Sequence, residues 1–360
     1  MRITILSRYS RLGASSRLRT MQYVPALEKA GFDVEVFSLF DDGYLQALYE
    51  GRRQHQVFHH YVRRVAQCFT ARASDVLWVE KEVLPWCPWA VESRILPSGV
   101  PIVSDYDDAL FHRYDMHSSE LVRKLLGRKI DKVMAGSTLV TAGNAYIAER
   151  ARGAGSACVE IVPTVVDAEL YQPRRVAPAV GALRIGWIGT PQTWGKYGAP
   201  LMPLFSDLAS QAGAKFRLVG ASPQPKVEGA FEFVPWSEAG EVSAIQEMDI
   251  GIMPLADSPW ERGKCGYKLI QYMACGLPVV ATPVGVNSQI VEHGINGFHA
   301  VADREWRDGL SALLSNANLR AAMGSSGRVK VERQFSIQVQ GPRVARMLKS
   351  VVERGRLVET

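Results

Sequence analysis

Short β-branched runs alternate along the chain with longer amphipathic stretches. Ile3-Thr4-Ile5-Leu6-Ser7 reads as a strand, Gly13-Ala14-Ser15-Ser16-Arg17 as a loop, and the stretch to Lys29 as a helix. Gly31 closes that helix and Val34-Glu35-Val36-Phe37 is the next strand, which completes a βαβ unit. Further strands fall at Val76–Val79, Pro101–Ser104, Leu139–Thr141 and Val159–Val162, and helices are predicted over 84–97, 117–133 and 145–153. Strands that are apolar throughout and alternate with helices describe a doubly wound α/β domain around a parallel sheet.

Residues 172–182 carry two prolines and a glycine and follow neither periodicity, so they read as a linker. A second series then begins at Leu183–Gly189 and continues with strands at Phe216–Val219, Phe231–Val234, Ile250–Met253 and Pro278–Ala281. The expected organisation is a Rossmann-like domain over 1–171, the linker 172–182, a second Rossmann-like domain over 183–335, and a terminal helix over 336–360 that packs back on the first domain. Two such domains are expected to face each other across a cleft, with ligands at the carboxyl ends of the strands.

Composition narrows the class. With 47% apolar and 22% charged residues the chain is globular rather than disordered. No run approaches the ~18 apolar residues of a membrane span, and the opening apolar run is too short for a signal peptide, so a cytoplasmic location is expected. The five cysteines include no Cys-x-x-Cys spacing, which argues against a disulfide frame or a zinc site. Lys plus Arg exceed Asp plus Glu by 6, which suits anionic small molecules better than nucleic acid.

The most informative segment runs from Glu261 to Val280. Glycines and lysines open a helix whose first turn presents free N–H groups and the positive dipole end, and Gly276-Leu277-Pro278 closes it before a strand, a phosphate-binding design. The segment resembles the signature of GT-B glycosyltransferases of family 4, in which two carboxylates separated by seven residues precede Met-Ala-x-Gly-x-Pro-Val-Val. The likeness extends to the Gly13 loop, Ile161–Asp167, Gly186–Gly189, Asp249–Pro254 and Ala281–Gly285, in the family's order.

This resemblance implies transfer of a sugar, with retention of configuration and without a metal or other cofactor, from a nucleoside diphosphate sugar to a glycan or polyprenyl-linked acceptor. Bacterial surface polysaccharide assembly is the implied setting. Family members use the first carboxylate on the donor hexose and the second on the ribose; those positions hold Gly263 and Gln271 here. Gln271 keeps an acceptor oxygen for the ribose. No arginine follows Gly189, so Thr190 and Thr193 hydroxyls with Lys264 and Lys268 are the candidate ligands of the diphosphate, and Lys268 is also a catalytic candidate through the charge it neutralises. Gly13 stands where the family's loop approaches the donor phosphates, and Trp236 follows a strand at the place of the nucleobase.

Arg17 and Arg19 begin a helix, an unfavourable place for cations unless a phosphate or a carboxylate faces them, and are candidate acceptor contacts. Asp105-Tyr106-Asp107-Asp108 follows a buried strand directly. Asp107 and Asp108 are candidates for orienting an acceptor hydroxyl, with His112 the nearest imidazole. Asp105 and Asp107 also form an Asp-x-Asp triplet, so a metal-dependent transferase is the alternative, and a nucleotide-sugar-binding protein without catalysis is another. Finally, 51–74 contains Arg52, Arg53, Arg63, Arg64 and Arg72 with no acidic residue, a basic amphipathic stretch suited to peripheral contact with the anionic inner face of a cell membrane.

Overall fold

The computed structural model describes residues 1–54, 56–174, 181–223 and 229–358. They form two compact units: Met1–Thr164 with Gly263–Cys265 and Val339–Thr360, and Val165–Arg262 with Gly266–Gln338.

The first unit is built on β1 (Arg2–Tyr9), β2 (Asp33–Phe40), β3 (Val76–Glu80), β4 (Ile102–Tyr106), β5 (Leu139–Ala142) and β6 (Val159–Ile161). All pair in parallel in the order β2-β1-β3-β4-β5-β6. The second unit repeats the plan with β7 (Arg184–Ile188), β8 (Lys215–Val219), β9 (Phe231–Val234), β10 (Ile250–Met253), β11 (Val279–Ala281) and β12 (Gly297–His299), in the parallel order β12-β11-β10-β7-β8-β9. In each sheet the chain reverses its direction of winding beside the first strand, between β1 and β3 and between β7 and β10. Open α/β sheets bind ligands outside the carboxyl ends of the strands at such points.

Both sheets are covered by apolar layers. Leu6, Leu77 and Val79 lie in one buried cluster of the first unit, and Val140, Ile147 and Ala148 in another. In the second unit, Ile188, Leu269, Met273 and Val279 form one cluster and Ile185, Phe205, Phe216 and Trp306 another.

The structure departs from the sequence reading in several places. The helix expected over 117–133 is two helices, Glu120–Leu126 and Lys129–Ala135. That expected over 84–97 shrinks to Trp89–Ile95, because Pro85 and Pro88 keep the preceding segment irregular. Residues Val165–Tyr171 belong to the second unit, not the first, since Val166 and Tyr171 are buried in its core and Val166 N–H bonds the Phe335 carbonyl. Of the linker, Arg174 pairs with Asp249 at 3.1 Å, and 175–180 lie outside the described residues. The terminal helix spans Ile337–Val358, and its Arg343 donates to the Ile161 carbonyl and Glu160 while Arg356 pairs with Asp75 at 2.6 Å. Among the described residues, no helix is long and apolar enough to cross a membrane.

Candidate functional site

In the first unit the carboxyl ends of β1, β3 and β4 gather a dense polar cluster. Lys81 follows β3 with a φ of 68°, the left-handed region that a residue with a Cβ adopts only when its surroundings enforce it. Its ammonium donates to Ser15 Oγ at 2.9 Å and lies 2.9 Å from Asp107 Oδ1, and Ser15 donates to Asp107 Oδ2 at 2.7 Å. These three side chains close a ring. Burial opposes the charge of Asp107, but Lys81, Arg19 and the Ser15 hydrogen bond outweigh it and hold its carboxyl below the usual range. Asp108 is pushed the other way by burial and by the charge of Asp107, against Lys81 and Lys264. Two adjacent carboxyls with opposed shifts are a common mark of a chemical site.

Asp105 plays another part. Arg19 grips it with two hydrogen bonds at 2.9 and 2.7 Å, donates also to the Val162 carbonyl, and is 1% exposed. Thr141 donates to the same carboxylate at 2.5 Å. The expectation that Arg19 contacts an acceptor is therefore corrected, because its donors are spent on β4 and on the segment after β6. The carboxylate that faces this cation is Asp105, which is correspondingly unavailable beside Asp107 as a metal ligand. His112 is corrected too, since its Nδ1 meets Asp115 and its Nε2 meets the Tyr146 hydroxyl, both at 2.8 Å. Arg17 is buried and braces its own loop by donating to the Arg11 carbonyl. Gly13 caps the helix Ala14–Arg19 at an ordinary φ of −74°; a Cβ there would lie 2.4 Å from Tyr9 Cβ, so packing against β1 is what requires the glycine.

The segment Gly263–Cys265 packs on this cluster. Asn144 donates to the Gly263 and Lys264 carbonyls at 2.9 and 3.0 Å, and the Cys265 thiol bonds the Asp107 carbonyl at 2.8 Å. A Cβ on Gly263 would lie 2.4 Å from Ala109 Cβ, which explains why this position carries no carboxylate. Lys264 acts on Asp108.

In the second unit the ends of β7, β8 and β9 meet the helix Tyr267–Ala274. Gly220, at φ +80°, passes so close to β7 that a Cβ would lie 2.2 Å from the Gly189 carbonyl oxygen and 3.3 Å from Trp236 Cβ. Lys268, in the first turn of that helix, runs its stem along Gly189 and sets its ammonium 5.0 Å from the centre of the Trp187 ring. Gly189, Gly220, Trp236 and Lys268 thus come together as backbone without side chains, an aromatic face and a cation, the components of a nucleotide site. Thr190 and Thr193 cap the turn after β7 by bonding each other, Thr193 Oγ1 donating to the Thr190 carbonyl at 2.9 Å.

Gln271 is held behind Trp236 by its amide nitrogen. It is 2% exposed, and its amide donates to Glu241 Oε1 at 2.8 Å and to the Tyr171 hydroxyl at 3.1 Å. The amide nitrogen belongs to a buried network in which Glu241 also accepts from Trp236 Nε1 at 2.7 Å, so Gln271 helps to fix the indole through Glu241, while its Oε1 takes part in neither of these bonds. Two further groups escaped the sequence reading. Glu261 is buried and accepts from Lys196 Nζ at 2.6 Å and from the Tyr197 and Ser258 hydroxyls, and these donors overcome burial to pull its carboxyl down to about 2. This anchors Lys196, the only cation between Gly189 and the Met202–Ala212 helix. In the first unit, Glu82 accepts from Lys129 at 2.6 Å and from Tyr114 at 2.9 Å, beneath the Lys81 turn.

In the stretch 51–74 the arginines divide between the two faces. Arg64 is 1% exposed, bonds the Ser7 carbonyl, and is pulled down to about 10 by burial; Arg63 donates to the Leu39 carbonyl at 3.0 Å. Two of the five arginines therefore hold the helix Val57–Thr70 on the sheet and do not face outward. No group of three or more His, Cys, Asp or Glu side chains among the described residues is arranged around a common metal position.

Comparison with known proteins agrees with this architecture. Residues 184–316, nearly all of them in the second unit, match the family Glycosyl transferases group 1. A stretch of 87 residues is 33% identical to spore coat protein SA of Bacillus subtilis; it covers 23% of this chain and 22% of that protein, about a fifth of the relative's length. Over nearly the whole chain the fold is that of GT-B glycosyltransferases. Sucrose-phosphate synthase from Thermosynechococcus elongatus aligns with a TM-score of 0.71 at 14% identity, over 98% of this chain and 100% of that one. Anabaena HepE in complex with UDP aligns at 0.68 and 17%, over 97% and 100%. The lipopolysaccharide outer core galactosyltransferase WaaB aligns at 0.60 and 11%, over 100% of both.

Proposed function

We propose that the protein is a glycosyltransferase that moves a sugar from a nucleoside diphosphate sugar to a glycan or lipid-linked acceptor in bacterial surface polysaccharide assembly, with retention of configuration and without a metal. The observation that carries this reading is the convergence of Gly189, Gly220, Trp236 and Lys268 at the carboxyl end of the second sheet, within the stretch that matches the group 1 family. Neighbours crystallised with UDP and with UDP-glucose support a nucleotide sugar as donor.

In this reaction the bond between the anomeric carbon and the diphosphate breaks, a bond to the acceptor oxygen forms on the same face, and the acceptor proton passes to the departing diphosphate. Lys268 offsets the negative charge that grows on that diphosphate. Asp107, ionised and fixed by Lys81 and Ser15, accepts a hydrogen bond from a neighbouring hydroxyl of the acceptor and so orients the attacking one, whose proton stays free to pass to the diphosphate.

A second reading is favoured by the loss of both family carboxylates, Gly263 being filled by Ala109 and Gln271 being turned to Glu241. It is a protein that binds nucleotide sugar without transferring it. Incubation with a panel of uridine and guanosine diphosphate sugars and extracted lipid-linked acceptors separates the two. Release of nucleoside diphosphate that depends on acceptor supports transfer; tight binding with no release from any donor supports the second reading.

A further inference from the structure

The helix Val57–Thr70 is amphipathic in the inverted sense. The face turned to the protein carries His60, Arg64 and Cys68, all buried, whereas the outward stripe is Phe58, Val62, Ala66 and Phe69, spaced by four, four and three residues. Phe58 is 82% exposed, Val62 51% and Phe69 49%. Exposed His59 and Thr70 border this stripe; single exposed apolar residues are ordinary, but four on the outward face of a helix that turns His60 and Arg64 inward are not what packing alone selects. The preceding helix, Asp42–Tyr49, likewise ends on exposed Leu48 and Tyr49. No acidic residue occurs from Gly51 to Ser74; Arg53 and Arg72 are exposed, Arg72 stacking over the Phe69 ring at 4.4 Å, and exposed Arg52 pairs with Glu50 just before the stretch.

We propose that this outward face docks on an anionic lipid bilayer, with Phe58, Val62 and Phe69 entering the interfacial layer and the flanking arginines meeting the headgroups. An apolar stripe rimmed by cations has the pattern of helices that lie in the plane of an anionic surface. A second copy meeting the same face by two-fold symmetry would bring two arginine rims together, which disfavours a dimer here. This inference goes beyond the proposed reaction and does not rest on it, since it concerns a surface that touches neither candidate site residue nor donor.

The test is cosedimentation of the full chain with vesicles of phosphatidylcholine and phosphatidylglycerol at 3:1, and with pure phosphatidylcholine. The wild type is expected to bind the anionic vesicles, and the triple variant Phe58→Ser, Val62→Ser, Phe69→Ser to partition at least tenfold less, although its net charge is unchanged. Circular dichroism and the thermal midpoint of that variant report its folding. Should the triple variant fail to fold, Phe58→Ser alone is read in the same way, with a reduction of at least threefold expected. The proposal is overturned if the wild type ignores anionic vesicles at low salt, if the folded serine variant partitions like the wild type, or if the wild type proves to be a dimer that the serine variant dissociates.

Discussion

Replacing Asp105 by Asn tests the division of labour between the two aspartates that flank Tyr106. Arg19 and Asp105 are each 1% exposed, and they share two hydrogen bonds of 2.7 and 2.9 Å. The amide keeps one acceptor oxygen but turns an NH2 group towards a guanidinium N–H, and it leaves the Arg19 charge buried without a counter-charge. Breaking a buried pair from one side costs about 3–5 kcal/mol. For a domain of 150–250 residues each kcal/mol corresponds to roughly 2–4 °C, so the melting temperature of the first unit should fall by roughly 6–20 °C. Thermal unfolding followed by near-ultraviolet circular dichroism reads the shift, and hydrogen exchange at β1 and β4 amides assigns it to this unit. The double variant Arg19→Met, Asp105→Leu should recover most of the loss, because removing both charges together leaves neither unpaired. A loss below about 1 kcal/mol for Asp105→Asn would refute the reasoning and return Asp105 to the set of groups available for metal or substrate.

Asp107→Asn should lower kcat/KM by roughly 10–150-fold, the equivalent of a charged hydrogen bond of ~1.5–3 kcal/mol, in an assay of diphosphate release with acceptor present. An unchanged rate would remove Asp107 from acceptor orientation. Transfer should continue in excess chelator, because a cation at Lys268 rather than a metal at Asp107 meets the leaving diphosphate. Activity abolished by chelator and restored by Mg²⁺ or Mn²⁺ would establish the metal-dependent alternative. The Glu261 carboxyl, lowered from its ordinary 4.5 to about 2, contributes stability that is fully present above 4.5 and lost as the pH falls towards 2. The advantage of wild type over Glu261→Gln in urea unfolding should therefore be constant from neutrality to about pH 5 and shrink on further acidification. An advantage that held undiminished to pH 2 would contradict the ion pair with Lys196.

Most strands were legible because a strand buried on both faces reads as an unbroken apolar run. Val76–Glu80 and Ile250–Met253 are buried at every position. The last strand, Gly297–His299, was not, since a buried glycine and two half-buried residues at the edge of a sheet carry no pattern. Site residues divide along a similar line. Lys268 and Trp236 stand next to glycine and strand signals that fix their place in the fold, and the structure sets them with Gly189 and Gly220. The partner of Arg19 and those of the Gln271 amide nitrogen are not legible, because a polar side chain gives no sign of whether it faces solvent, ligand or a buried partner. For Arg19 the sequence pointed elsewhere, to a helix start, whereas the side chain closes the helix Ala14–Arg19 and meets Asp105 from its last turn. For the Gln271 amide nitrogen no signal exists, since Glu241 lies in another helix and its role appears only where Tyr171 and Trp236 meet it. The stretch 51–74 was read as basic outside, whereas the sheet takes Arg64 inward and leaves Phe58 out, an inversion that periodicity alone does not distinguish.

The central claim is that the carboxyl end of the second sheet, with Lys268 beside Gly189, holds the diphosphate of a nucleotide donor. Isothermal titration of the wild type and of Lys268→Ala with uridine and guanosine diphosphates tests it most directly. The account predicts one site per chain for one of the two nucleotides, weakened by ~1.5–3 kcal/mol, roughly 10–150-fold, in the variant. No binding of either nucleotide to the wild type, or equal dissociation constants for the two proteins, would contradict it.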